Sequence, residues 1–234
     1  MSGDDPGTRI VMATLITLAC GEAHLKKAEL RSSADVVAEA VDCMRSPDPD
    51  VRRLALEAMV RLAAGGAVPD GGDEVLNDVS ASLEDPSWPV RLAAVDAVAE
   101  LAAGTGPAAA RRRAAAHLLL RLWDVDWPVR QHAVRALSGL LRRWPELDDG
   151  PDAVVPSILA LLRDMYEEVR HAAALALPDL PRSDAARQAA VAALQDASGR
   201  VRAAAASVLP ALSADGGVWP AAVDALRAME RAER

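Results

Sequence analysis

The chain has no Phe and a single Tyr, and aromatic residues make up only 3% of its 234 residues. A core of this length ordinarily takes its bulk from Phe and Tyr, so space must be filled differently here. Cysteine is nearly missing too. Cys20 and Cys43 stand alone, with no CxxC spacing and no paired His. That excludes a metal site and a disulfide framework. Both are expected as buried thiols, in keeping with a reducing cytosol. Lysine is confined to Lys26 and Lys27, and the other 24 of 26 basic residues are Arg. No stretch reaches the roughly 18 apolar residues that span a bilayer, so no membrane segment is expected. A net charge of −8 is the wrong sign for coating DNA or an anionic membrane.

What is abundant is small and aliphatic. Apolar residues reach 51%, mostly Ala, Leu and Val. Ala favours helices and disfavours strands, so the composition points to an all-α protein. Near the start, Ile10 to Cys20 is an apolar stretch ending in Leu18-Ala19-Cys20. Asp4 and Asp5 ahead of it give the wrong charge for a signal segment. It is expected as a first amphipathic helix, and the protein as cytoplasmic.

The chain repeats itself. Val-Arg occurs at Val51-Arg52, Val90-Arg91, Val129-Arg130, Val169-Arg170 and Val201-Arg202, in steps of 39, 39, 40 and 32 residues. Four positions after each Val stands Ala: Ala55, Ala94, Ala133, Ala173, Ala205. At seven come Ala58, Ala97, Ala136, Ala176 and Val208. At eight come Met59, Val98, Leu137, Leu177 and Leu209. At eleven the residue is always Leu: Leu62, Leu101, Leu140, Leu180, Leu212. Offsets 0, 4, 7, 8 and 11 trace one helix face. Five positions before Val stand Asp85, Asp124, Asp164 and Asp196, with Ser46 in the first copy. Each unit therefore reads as helix A, a short Asp-containing turn, and helix B opening at Val-Arg.

The motif Leu-x-Asp-x-x-x-x-Val-Arg-x-x-Ala spans Leu83 to Ala94, Leu122 to Ala133, Leu162 to Ala173 and Leu194 to Ala205. It resembles the HEAT repeat family, including HEAT-like repeats of the chromophore-lyase type, over about residues 33–213. The resemblance implies a right-handed α-α superhelix, a solenoid of about five helix pairs with capping helices at both ends. It also implies an acid–guanidinium ladder joining Asp85, Asp124, Asp164 and Asp196 with Arg52, Arg91, Arg130, Arg170 and Arg202. The turn Asp is suited to accept backbone N–H groups at the start of helix B.

One continuous domain over 1–234 is expected. Its segments are an N-terminal cap at 8–32, repeats at 33–64, 73–103, 107–144, 152–180 and 183–213, and a cap helix at 218–232. Gly-rich and Pro-rich connectors punctuate it at Gly65-Gly66, Gly71-Gly72, Gly104 to Pro107 and Asp148 to Pro151. Pro178 and Pro210 fall late in helix B of repeats 4 and 5 and should shorten or kink those helices.

Chemistry is sparse. His24, His117, His132 and His171 form no metal-ligand spacing, and there is no nucleophile elbow, P-loop or dinucleotide fingerprint. No catalytic residue, metal or cofactor is expected. Residues 107–146 carry eight Arg against Asp124, Asp126 and Glu146. HEAT-like folds include DNA glycosylases for alkylated bases, which makes nucleic-acid binding the alternative. A single basic repeat among acidic ones makes a poor polyanion track. A chromophore lyase or its chaperone is a further alternative implied by the resemblance.

The favoured surface is the outer face of the B helices, expected to line a concave side. Offsets 2, 6 and 10 put Arg53, Glu57, Arg61, Leu92, Asp96, Gln131, Arg135 and His171 there, with Arg142 nearby. Trp88 and Trp127 hold equivalent places in Trp-Pro-Val-Arg turns and should lie side by side on one edge. Mixed acid, base and apolar character, with Trp and Arg, suits a protein or peptide partner. The expected function is therefore a non-enzymatic scaffold or adaptor.

Overall fold

The computed structural model describes residues 33–68, 73–104, 107–148, 154–181 and 184–212, together with 223 and 227. The caps expected at 8–32 and 218–232 lie outside these, apart from Val223 and Arg227. Among the described residues there are ten α-helices and no strand. In order they are α1 Ser33–Cys43, α2 Pro49–Ala64, α3 Asp73–Ala81, α4 Trp88–Ala103 and α5 Ala108–Arg121. Then come α6 Trp127–Arg143, α7 Val154–Ala160, α8 Glu167–Ala176, α9 Asp184–Ala193 and α10 Gly199–Leu212. Odd-numbered helices are A helices and even-numbered ones are B helices.

The chain forms two compact units, 1–121 and 122–234. In the first, α1 packs on α2, α3 on α4, and the B helices α2 and α4 pack on each other. Helix α5 rests against α3 and α4. In the second, α6 packs on α8 and α8 on α10, with α7 against α8 and α9 against α10.

The Val-Arg register explains the packing. Val90, Val129, Val169 and Val201 are 0% exposed, and the Ala four residues later is at most 1% exposed in all five copies. With only a methyl at that offset, neighbouring B helices can approach closely. Extra methylenes there would cost roughly 1–3 kcal/mol through overpacking. The larger residue at offset eight, from Met59 to Leu209, is buried in every copy, and each such side chain contributes about 1.5–3 kcal/mol. Ala136 is the exception at offset seven, being only half-buried. Before the turn, Leu83, Leu122 and Leu194 are buried; in the fourth copy the buried residue is Leu161 rather than Leu162.

Helix ends follow local chemistry. Pro49, Pro89 and Pro128 sit in the first turns of α2, α4 and α6, where the missing N–H costs nothing. At the end of α2, Gly66 takes φ 69°. There the N–H of Gly66 donates to Ala63 O at 3.0 Å and that of Ala67 to Leu62 O at 2.9 Å. That paired closure needs a left-handed residue, which glycine supplies. Pro178 lies in a short 3-10 turn, Leu177–Asp179, that replaces the end of α8. Pro210 does not stop α10, which runs on to Leu212.

Cys43 is buried, but it is disulfide-bonded rather than a thiol. The expectation for Cys20 lies outside the described residues. Two cysteines without a motif do not announce a bridge, because pairing depends on where the fold brings them. The thiol argument for a reducing compartment falls with it. Among the described residues, no helix is long and apolar enough to cross a membrane.

Candidate protein-interaction surface

The most ordered polar chemistry lies in the A–B turns. Arg52 donates Nε to Asp85 Oδ2 at 2.7 Å and Nη2 to Asp85 Oδ1 at 3.0 Å. Its Nη1 donates to the carbonyls of Ser46 and Pro47 in its own turn. The same fork recurs in the second unit. Arg130 meets Asp164 at 2.8 and 2.9 Å, and Arg170 meets Asp196 at 2.8 and 3.1 Å. Each guanidinium thus clamps its own turn and the turn of the next helix pair. Arg91 and Arg202 make the own-turn half of this pattern, on Asp85 O and Asp196 O at 2.9 and 3.0 Å. Five N–H donors in a rigid planar fork are what Arg offers and Lys does not.

Each turn Asp also closes its own turn. Asp85, Asp124, Asp164 and Asp196 accept from the backbone N–H two residues on, at 2.8–3.0 Å. In the first copy Ser46 Oγ accepts from Asp48 N at 3.2 Å, so serine performs the turn half of the role. The acceptor serves the residue capping helix B rather than the first helical N–H groups. Burial by itself would raise the Asp85 carboxyl. The hydrogen bonds from Arg52 and the Ser87 amide, with the Arg52 and Arg91 charges, outweigh it and hold it below the ordinary range. Asp196 is held down in the same way by Arg170, the Ser198 amide and Arg202.

In the first unit, the B helices α2 and α4 frame a groove of about 340 Å³. Its lining includes Arg53 and Glu57 from α2 and Trp88, Leu92 and Asp96 from α4. Val60, Arg61, Pro89 and Ala93 complete it. Arg53 pairs with Glu57 and stands 3.8 Å from Asp50. Trp88 is 43% exposed, so much of its indole is available.

In the second unit the remaining candidates sit on α6 and α8. Gln131 Nε2 donates to Glu168 O at 3.3 Å. Arg142 stands 3.6 Å from Asp179, whose carboxyl burial pushes up against the Arg142 charge. Arg135 is exposed. His171 is half-buried, and its Nδ1 has no hydrogen-bond partner among the described residues. Burial, then the charges of Arg200 and Arg135, pull its pKa down against Glu167. Trp127 stacks on Tyr166, with centroids 6.0 Å apart and planes at 25°. Trp88 belongs to the other unit.

Several arginines of the basic stretch 107–146 serve the fold. Arg121 donates to Leu83 O and pairs with Glu84 at 2.6 Å, and Arg130 holds Asp164. Among the described residues, no group of three or more His, Cys, Asp and Glu side chains could hold a metal ion. What the surface offers chemically is apolar contact and charge of both signs.

The profile of HEAT repeats matches residues 37–138 and 155–233. The chain belongs to the HEAT-repeat family. Solved structures of similar fold include engineered and designed proteins. An engineered protein is 23% identical with a TM-score of 0.57, over 87% of this chain and 89% of its own. A designed armadillo repeat protein in complex with the peptide (KR)4 is 19% identical with a TM-score of 0.57, over 90% and 96%. Designed armadillo proteins for modular peptide recognition give 20% identity and a TM-score of 0.53, over 90% and 95%. These likenesses establish the fold, an all-α repeat of armadillo and HEAT type. No curated protein matches the sequence significantly.

Sequence reasoning named five of the groove residues directly and placed Arg61 on the same face. It missed Val60, Pro89 and Ala93, which line the flanks where one B helix meets the next. It also missed Tyr166, the partner of Trp127. The signal was present: Tyr166 is the chain's only Tyr and lies in a turn.

Proposed function

We propose that this protein is a non-enzymatic scaffold that binds a protein or peptide through the outer face of its B helices. The carrying observation is the groove between α2 and α4, whose lining joins an exposed Trp88 and the apolar Val60, Pro89, Leu92 and Ala93 to four charged residues. Rigid helices present these groups without ordering them at the moment of binding, so little conformational entropy is lost. A fold shared with a designed protein solved in complex with a peptide supports the reading. The nucleic-acid alternative gains nothing from arginines already engaged with Asp and Glu.

The test is site-specific photocrosslinking in the native host. A crosslinker at Leu92 should capture a defined protein band. The same group at Glu74, on helix α3, should not. A double variant within the groove, Glu57→Arg with Asp96→Arg, should lose the partner in pull-down with helicity intact. Equal capture at Leu92 and Glu74, or unchanged pull-down, would remove the reading.

A further inference from the structure

The groove between α2 and α4 also carries information about the charge of what it holds. Its four charged lining residues are Arg53, Glu57, Arg61 and Asp96. Arg53 is satisfied by Glu57, with Asp50 behind it, so that pair is nearly neutral to an incoming ligand. Asp96 is engaged in an interaction of its own. Arg61 is different. It is exposed and has no ion pair or side-chain hydrogen bond among the described residues. A guanidinium with five donors therefore stands uncommitted in the wall of an apolar groove, in a lining that also holds Trp88 and Leu92.

We propose that this groove binds an extended acidic peptide, seating one aliphatic side chain on Trp88, Leu92 and Val60 and one carboxylate on Arg61. The inference rests on the docking reading above and adds the ligand's charge. Length is consistent with it. Arg53 and Arg61 are eight residues apart on one helix, which is about 12 Å of axis. An extended peptide advances about 3.3 Å per residue, so about four residues fill the groove. A planar carboxylate matches the guanidinium fork in two parallel hydrogen bonds. A basic side chain would meet Arg61 as a like charge. The acidic preference would be opposite in sign to the (KR)4 peptide held by the designed armadillo protein of similar fold.

The experiment uses the full chain and two fluorescein-labelled probes, (Leu-Asp)4 and (Leu-Lys)4, in fluorescence polarisation. The acidic probe should bind saturably and at least about tenfold more tightly than the basic one. Arg61→Glu should weaken the acidic probe by about tenfold or more and strengthen the basic one. Trp88→Ala should weaken the acidic probe without reversing the preference. Arg112→Glu, an exposed Arg on α5 outside the groove, makes the same net-charge change and should leave both affinities unchanged. Circular dichroism checks that each variant is folded. Tighter binding of the basic probe, lost in Trp88→Ala, would overturn the acidic assignment while keeping the groove as a docking site. Equal effects of Arg61→Glu and Arg112→Glu would overturn it as well, by showing only bulk charge. No saturable binding of either probe would remove both the assignment and the peptide-docking reading of this groove.

Discussion

Arg130 grips Asp164 through two hydrogen bonds, Nε to Oδ2 at 2.8 Å and Nη2 to Oδ1 at 2.9 Å, with both side chains about nine-tenths buried. The remaining Nη1 holds Asp124 O at 2.8 Å and Val125 O at 3.2 Å. One side chain thus fixes two successive turns. Removing one member of a sheltered pair leaves the other charged and unpartnered, which costs about 3–5 kcal/mol. Arg130→Ala should lower stability by that order in urea denaturation. Arg130→Lys should recover only part of the loss, because an ammonium cannot serve a bidentate carboxylate and two carbonyls at once. Full recovery by Lys would mean that charge alone matters.

Ser46 and Asp85 occupy the same place in successive copies but do different amounts of work. Ser46 Oγ accepts only the turn N–H among the described residues. Asp85 accepts the turn N–H and the Arg52 fork. Asp85→Ser should keep the first bond and lose the second, and so destabilise by several kcal/mol in line with a broken sheltered pair. Ser46→Ala should cost only about 1 kcal/mol, the scale of a lost local cap. Similar melting shifts for the two variants would contradict this division of roles.

Much of this was legible because packing repeats. Val, Ala and Leu at offsets 0, 4 and 11 record how one helix meets its neighbours, so helix positions and the B-helix face could be read from the chain. The groove was legible where offsets 2 and 6 pointed outward, at Arg53, Glu57, Leu92 and Asp96. Val60, Pro89 and Ala93 were not, because their exposure depends on the angle between α2 and α4 rather than on either helix alone. Tyr166 escaped because it lies one position off the register of Trp127. Cys43 escaped because a bridge depends on long-range placement.

Acid should weaken the fold. Asp85 and Asp196 are held below the ordinary carboxylate range by their hydrogen bonds to Arg52 and Arg170. Their stabilisation is complete above the unfolded pKa of about 3.9. As pH falls through that value the unfolded chain takes up protons that the folded chain refuses, so stability drops until the folded carboxyls titrate too. Urea midpoints should fall between pH 5 and pH 3, and Asp196→Asn should flatten that slope. A wild-type midpoint independent of pH over this range would show that these carboxyls titrate alike in both states.

The stack of Trp127 on Tyr166 is a second, weaker link between the turns that Arg130 joins, and the Arg130 guanidinium lies 5.5 Å from the Tyr166 ring centre. The ring therefore touches both the indole and the cation. Aromatic pairs of this geometry contribute about 0.5–1.5 kcal/mol beyond buried area. Tyr166→Ala should lower stability by about that amount plus the lost contact, and Tyr166→Phe should change it little, since the interaction runs through the ring face. Because Tyr166 and Arg130 touch, the losses from Tyr166→Ala and Arg130→Ala should not add. Measured by urea denaturation of the two single variants and the double, strict additivity would show that the ring and the guanidinium act independently.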